Sequence, residues 1–127
     1  MKIKKLNAQG KGELDYDYAN DILFFKVKDR NYDHSLELED LVLDIDDEGF
    51  ITGVQMFDVS KTFNIDKESL MNIRKWEFKL KAEDKVIYLQ LNFNILVRNQ
   101  VIERGQNLIR ESASLLTNSE VLCKMEA

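Results

Sequence analysis

The residues whose types and spacing could do chemistry are acidic and lie in the first half of the chain. Asp44, Asp46 and Glu48 stand at alternate positions before Gly49, which is how the oxygen ligands of a calcium loop begin. The second half of that pattern is missing, because its twelfth position is Gln55 and not a glutamate that could bind with both oxygens. The segment is better interpreted as an acidic hairpin turn, and a weak cation site on these three carboxylates is the alternative.

His34 and Cys123 are the single histidine and the single cysteine of the chain. His34 stands between Asp33 and Ser35, but the members of a catalytic triad must converge in space, and neighbours in sequence usually diverge. We therefore expect an exposed histidine in a loop. One cysteine forms no intramolecular disulfide and no thiolate metal cage, so we expect an inert or exposed thiol and no cofactor.

Asp17, Asp21 and Asp58 are a second group of carboxylates with a possible role. Two carboxylates can act as acid and base when their surroundings push their pKa values apart. Asp17 and Asp21 flank a turn-forming segment, however, and Asp58 precedes a short segment that it could cap. We interpret all three as turn and cap residues, and the sequence predicts no catalytic residue.

Charge is distributed unevenly along the chain. Residues 1–12 hold four lysines and no acid, residues 13–48 hold 13 acids and 3 bases, and residues 49–127 hold 10 acids and 11 bases. Lysine and arginine drive nucleic-acid binding, so the acidic stretch argues against a nucleic-acid partner and leaves the lysine-rich residues 1–12 as the one segment that could bind one. It suits a basic protein partner, and the expected contact residues are Glu37, Glu39 and Asp40.

The length and the apolar content predict one domain over residues 1–127. The chain has 127 residues and is 44% hydrophobic, which is enough to bury a core without disulfides or metals. It contains no apolar run of about 18 residues, the length needed to span a membrane. We expect a cytoplasmic protein with no membrane partner.

The apolar periodicity predicts an α+β fold that is mainly β. Residues 13–17 and 22–28 are expected to form a hairpin. Residues 36–46 are expected to form strands with one face exposed to solvent, and residues 50–57 to form the strand that pairs back after the next turn. Three or four antiparallel strands in meander order result. Gly49 supplies the positive φ that closes the last hairpin.

The second half predicts another long hairpin and two short helices. Residues 75–81 and 87–97 alternate between apolar and polar, the latter strictly, so they are expected to pair. Asp66 is expected to cap a short helix over residues 66–72 by accepting its first amides. Residues 105–116 have apolar residues at helical spacing, which predicts a C-terminal helix packed over the sheet.

Two features favour self-association. The chain has no proline, so its strand edges lack a common blocker, and homodimers could form through these edges. Trp76, Phe78 and Tyr88 could also line a ligand pocket in a homo-oligomer, although such aromatics more often belong to the core.

Residues 16–63 carry a pattern with three parts. It runs Tyr16-Asp17 with Asp21 and Leu23, then Leu43-Asp44 with Asp46, Gly49, Ile51 and Gly53-Val54, and ends with Asp58 and Ser60. This pattern resembles a small prokaryotic family of domains of unknown function. The resemblance implies a small antiparallel β domain, and some members look like partners of small basic toxins encoded beside them.

The function expected from these observations is a non-enzymatic protein-interaction module. It would be antitoxin-like or an inhibitor, and it would use its acidic β face to bind a basic protein. The alternatives are a metal-assisted hydrolase built on Asp44, Asp46, Glu48 and His34, and the homo-oligomeric ligand-binding module.

Overall fold

The computed structural model describes residues 3–125, which form ten β-strands and two short helices. The strands are β1 (Lys4–Asn7), β2 (Gly12–Asp17), β3 (Ile22–Val27), β4 (Tyr32–Glu37), β5 (Leu41–Asp46), β6 (Ile51–Phe57), β7 (Ile73–Glu83), β8 (Val86–Val97), β9 (Gln100–Glu111) and β10 (Ser119–Met125). The helices are α1 (Val59–Phe63) and α2 (Lys67–Leu70). The predicted α+β class with mainly β structure is confirmed.

The strands form two five-stranded sheets. Sheet A has the order β1-β10-β7-β8-β9, and sheet B has the order β2-β3-β6-β5-β4. Neighbouring strands are antiparallel except for β1 and β10, which are parallel. The predicted meander accounts for β4 to β6. Because β3 pairs with β6, sheet B as a whole has the order of a Greek key.

The two predicted hairpins are present. β2 and β3 pair around the turn at residues 18–21, and β7 and β8 pair around Asp84 and Lys85. Gly49 has a φ of 87° in the turn between β5 and β6, the conformation for which glycine is suited. The alternation of apolar residues thus placed these strands correctly.

The predicted C-terminal helix over residues 105–116 is wrong. β9 runs through most of this segment and pairs with β8 along its whole length. Leu108 lies opposite Leu89 and is buried, whereas Ile109 lies opposite Tyr88 on the other face and is exposed. The helical spacing of the leucines is accidental, because pairing with the long strand β8 outweighs the local pattern.

The two sheets share one hydrophobic core. Phe25 of sheet B contacts two rings of sheet A: its centroid is 4.7 Å from that of Phe78 and 6.3 Å from that of Trp76. Trp76 and Phe78 stack nearly in parallel at 5.9 Å. Aromatic rings bury large apolar areas, so these contacts tie the sheets together.

Gly12 marks the point where the chain passes from sheet A to sheet B. It begins β2 and is buried. A Cβ atom on it would lie 2.5 Å from Cys123 Sγ and 2.5 Å from Trp76 Cη2. Only glycine lets the backbone approach the core this closely.

α1 and α2 connect the two sheets. α2 lies where the sequence predicted a helix, with Asp66 at its N-cap. The Asp66 carboxylate makes no cap hydrogen bond, which corrects its predicted role as acceptor; its backbone carbonyl accepts from Ser69 N at 3.1 Å. Within residues 3–125 neither helix has the length and the apolar character that crossing a membrane requires.

Candidate functional site

The outward-pointing residues of sheet B form a surface that we call the acidic face. Along β2 and β3 they alternate with buried residues such as Leu23 and Phe25. One cross-strand row of this face consists of Asp15, Phe24, Gln55, Val42 and Glu37, and the next consists of Glu13, Lys26, Gly53, Asp44 and Ser35. The third row begins with Asp17, Ile22 and Phe57.

In the first row of the acidic face, two apolar residues flank the central Gln55 and carboxylates lie at both ends, whereas the second row also holds the carboxylate of Asp44 in its interior. Phe24 and Val42 are half-buried, whereas Asp15 and Glu37 are exposed at the two ends of their row. Lys26 is the one basic side chain of the three rows, and its Nζ lies 3.5 Å from Glu13 Oε2. An apolar centre with a charged rim is the arrangement of many protein-interaction surfaces.

Gly53 lies in the second row, and the side chains of Asp44 and Lys26 lie close over it. A Cβ on Gly53 would lie 3.1 Å from Asp44 Oδ2 and 3.4 Å from Lys26 Cβ. A depression of about 370 Å³ adjoins these residues.

Two of the three predicted partner-binding residues face solvent, and the third is engaged within the protein. Glu37 and Glu39 are exposed. Asp40 is half-buried and accepts hydrogen bonds from Arg110 Nε at 3.1 Å and Nη2 at 2.6 Å. These bonds hold the pKa of Asp40 below its usual value. Asp40 thus joins sheet B to sheet A, and its role in partner binding stays a prediction.

Asp21 is the centre of a buried hydrogen-bond network. Its carboxylate accepts from Tyr16 Oη at 2.6 Å, from Ser60 Oγ at 2.6 Å and from Ser60 N at 3.1 Å. Burial raises the pKa of Asp21, but the bonds from Ser60 and Tyr16 outweigh it and leave this pKa below its usual value. Burial and the bond to Asp21 raise the pKa of Tyr16.

This network changes the expected roles of two aspartates. Asp58 occupies the N-cap of α1 with a φ of 53°, yet its side chain makes no cap bond. The cap acceptor is Asp21, which binds the amide of Ser60 in the first turn of α1. Asp17 is confirmed as a turn residue, since it accepts from Asn20 N at 3.2 Å and Asn20 Nδ2 at 2.9 Å.

Asp46 organises the turn between β5 and β6. Its Oδ1 accepts from Glu48 N at 3.0 Å and Phe50 N at 2.9 Å, and its Oδ2 lies 2.8 Å from Arg30 Nε and 2.7 Å from Arg30 Nη2. Arg30 also binds the Glu48 carboxylate. Both oxygens of the buried Asp46 carboxylate thus accept hydrogen bonds from within the protein, as expected for an acidic hairpin turn.

The candidate cation ligands are brought together only in part. Among residues 3–125, carboxylate oxygens of Asp46, Asp47 and Glu48 lie within 4.8 Å of one another. Asp44 is outside this group and accepts from Ser35 Oγ at 2.9 Å. The guanidinium of Arg30 already supplies positive charge to this group, so a metal ion would have to displace it.

The remaining candidates do not converge on a site. His34 is exposed on β4, and not in a loop as predicted, with Nδ1 2.7 Å from Asp33 Oδ2. Trp76 and Phe78 are buried in the core, whereas Tyr88 is 41% exposed on the outer face of sheet A. The alternative that Trp76, Phe78 and Tyr88 line one pocket is therefore wrong, and the favoured core position is confirmed for Trp76 and Phe78 but not for Tyr88.

Cys123 is buried in β10, and burial raises its pKa to about 11. Its sulfur is consequently a neutral thiol near neutral pH, which makes it a poor nucleophile. Of the two expected states, inert or exposed, the burial of Cys123 fits the inert thiol and contradicts the exposed one.

Comparison of the sequence with known proteins identifies the family to which the chain belongs. The family described as "Protein of unknown function (DUF2283)" matches residues 13–60. An uncharacterized protein of Methanocaldococcus jannaschii is 33% identical over 93 residues, which are 72% of this chain and 80% of that protein. The chain belongs to the DUF2283 family. The DUF2283 match covers β2 to β6 and the start of α1, and so includes Tyr16, Asp21 and Ser60 as well as the Asp46 turn.

A second relative has a name that mentions an activity. It is the "Putative hypoxanthine phosphoribosyltransferase" of Methanosarcina mazei, 32% identical over 93 residues, which are 73% of this DUF2283 protein and 76% of that relative. No solved structure matches the chain significantly.

Proposed function

We propose that this DUF2283 protein is a non-enzymatic interaction module that binds a basic partner protein on its acidic face. The observation that carries the proposal is the cross-strand row in which Phe24, Gln55 and Val42 lie between the carboxylates of Asp15 and Glu37. Half-buried apolar side chains inside a charged rim are what a protein partner can cover.

The chemistry of this face defines the partner. A complementary surface presents an apolar side chain between lysine or arginine residues, so that the apolar group covers Phe24 and Val42 and the cations meet the carboxylates. Exposed rim charges of this kind act mainly on the association rate and on specificity. Binding should therefore weaken as the salt concentration rises.

An antitoxin-like or inhibitory role is the finer form of this proposal. A basic protein that acts on nucleic acid uses its lysine and arginine side chains to hold phosphates. An acidic face that covers those side chains blocks the access of phosphates. One binding event would thus suffice for inhibition, without any catalytic residue in this protein.

The test is capture of a partner from the source lysate by tagged protein at low and high salt, followed by affinity measurement with the purified partner. Asp15→Lys with Glu37→Lys reverses charge at both ends of the row and should weaken binding at least tenfold. Glu83→Lys with Glu111→Lys makes the same change in net charge on sheet A and should leave the affinity unchanged. An acidic partner, or equal losses in both double variants, would disprove the proposal.

The name of the M. mazei relative suggests phosphoribosyl transfer as another function. Proteins commonly hold such anionic substrates at helix N-termini and glycine-rich loops. The two helices within residues 3–125 have only five and four residues, which is short for a phosphate site at a helix N-terminus. The acidic face of sheet B would also repel an anionic substrate. The interaction role therefore has better support than phosphoribosyl transfer. It also has better support than a metal-assisted hydrolase, because Arg30 forms ion pairs with the carboxylates of Asp46 and Glu48 that would have to bind the metal.

A further inference from the structure

β9 is the last strand of sheet A, and one of its sides faces no other strand of the described chain. It is 12 residues long, and the sequence places no proline in it. The carbonyl of Glu103 accepts from Arg104 Nη1 at 3.0 Å, and that of Ile109 accepts from Arg110 Nη1 at 2.9 Å. These carbonyls therefore point toward the open edge, where the amides of a pairing strand would replace the two arginine side chains as donors.

The exposed apolar residues of β9 are placed symmetrically about its middle. Val101 and Ile109 are each 63% exposed. Both point to the outer face of sheet A, and each lies four positions from Gly105 in the sequence. Two antiparallel copies of β9 centred on Gly105 would place each Val101 directly opposite an Ile109.

We propose that β9 pairs with β9 of a second copy of this chain, antiparallel and with Gly105 on the two-fold axis. The two copies of sheet A then form one continuous ten-stranded sheet. This proposal goes beyond the proposed function and is independent of it, because β9 belongs to sheet A and the acidic face belongs to sheet B.

The register is complementary on the outer face of the sheet. Within one copy, Ile109 lies opposite Tyr88 and Val101 lies opposite Leu96. Across the axis, these pairs join into one apolar row that runs from Tyr88 and Ile109 to Val101 and Leu96 of the second copy. Apolar cross-strand neighbours of this kind stabilise sheet pairing.

The inner face is complementary in the same register. Ile102 of one copy comes opposite Leu108 of the other, and both continue the core rows of their own sheets through Ile95 and Leu89. β9 carries two acids, Glu103 and Glu111, and two bases, Arg104 and Arg110. The strand is thus neutral, and its self-pairing avoids the repulsion that the acidic face would cause.

The first test is the mass in solution, measured by light scattering on a size-exclusion column. The wild-type protein should have twice the chain mass of 14.9 kDa. Val101→Lys with Ile109→Lys puts like charges together across the axis and should reduce this to the mass of one chain. Leu115→Lys changes an apolar residue that is 73% exposed and lies outside the strands, and it should leave the dimer intact. A wild-type monomer, or a dimer that survives in Val101→Lys with Ile109→Lys, would overturn the proposal.

The second test reports the register and does not depend on breaking the dimer. Val101→Cys with Ile109→Cys should form disulfides between chains under mild oxidation, giving a dimer on a non-reducing gel. These positions are about 26 Å apart within one strand, too far for a disulfide within the chain. Val101→Cys with Glu111→Cys is the control for a shifted register and should cross-link weakly. Equal cross-linking of both pairs, or of the control pair alone, would refute the Gly105-centred dimer.

Discussion

Asp21 connects three parts of the DUF2283 region through one carboxylate. It ends the turn between β2 and β3, binds Tyr16 of β2 and caps α1 through Ser60. Its φ of 56° lies in the left-handed region, which aspartate and asparagine tolerate better than most residues. A substitution by asparagine therefore tests the charge without straining the backbone.

We expect Asp21→Asn to destabilise the protein by about 1–3 kcal/mol near pH 7, the usual cost of losing charge-assisted hydrogen bonds to a buried carboxylate. Because the folded-state pKa of Asp21 is lowered, its contribution is present above its unfolded pKa of about 4 and is lost as pH falls through the folded value. Urea unfolding from pH 7 to pH 3 should show a smaller loss of stability in Asp21→Asn than in the wild type.

The control for this experiment is Asp15→Asn, which removes an exposed carboxylate from the neighbouring strand. It should change stability by less than about 0.5 kcal/mol at pH 7. If Asp21→Asn and Asp15→Asn behave alike, the network does not contribute as described.

Cys123 gives a second test at the level of one residue. With a pKa of about 11 and a buried sulfur, it should not react with a thiol reagent at pH 8 in the native protein and should react fully in urea. A cysteine at position 115, where Leu115 is 73% exposed and lies outside the strands, should react at once in the same assay. Rapid native labelling of Cys123 would show that β10 opens readily.

The residue-scale sites show what the sequence could predict. Asp46 and Gly49 are close in the chain, and their turn was correctly interpreted from their spacing. The cap that Asp21 provides to Ser60 spans 39 positions, and the ion pair of Asp40 with Arg110 spans 70. No local pattern reports such contacts, because the partners meet only after strands from distant segments have paired.

At the scale of elements, β8 and β9 differ in how clearly their sequences indicate a strand. β8 is covered by the core on one face and alternates strictly, so its period of two residues was clear. β9 lies at an edge, and its inward positions include Gln106 and Arg104 beside Leu108. Because few side chains of such a strand are buried, apolar and polar residues do not alternate clearly along it. Four apolar residues then fell by accident at the spacing of a helix face, which led to the wrong prediction.

The turn that joins β8 to β9 provides a prediction at this scale. Arg98 and Asn99 both have positive φ, 50° and 65°, the conformation of a two-residue hairpin turn that favours Asn-Gly. Arg98→Asn with Asn99→Gly should raise the stability by about 0.5–1 kcal/mol, measured as an increase in the midpoint of thermal unfolding. Arg98→Ala keeps a Cβ atom in the strained conformation, and a similar gain in that variant would argue against the explanation.

At the scale of the molecule, the two sheets depend on a shared core. The sequence predicted one domain but could not show which face of each strand meets the other sheet. Phe25 provides that connection through Trp76 and Phe78. Its neighbour Phe24 points the opposite way, into the acidic face, although both are phenylalanines in one apolar run.

We expect Phe25→Ala to cost about 3–5 kcal/mol because it leaves a cavity between the sheets. Phe24→Ala should cost no more than about 1.5 kcal/mol, since its ring is only half-buried. Urea unfolding monitored by Trp76 fluorescence and by circular dichroism should give coincident transitions if the sheets unfold together. Equal costs for the two variants would contradict this assignment of inner and outer faces.

The parallel pairing of β1 with β10 determines when sheet A can be completed during synthesis. Lys4 pairs with Ser119, so β1 is synthesised well before the strand with which it pairs. Sheet B uses only residues 12–57 and can form much earlier. Contacts so distant in sequence slow folding, and until they form, the nascent chain exposes the side of β10 that β1 will cover. Closure of β1 is thus expected to be a late folding step.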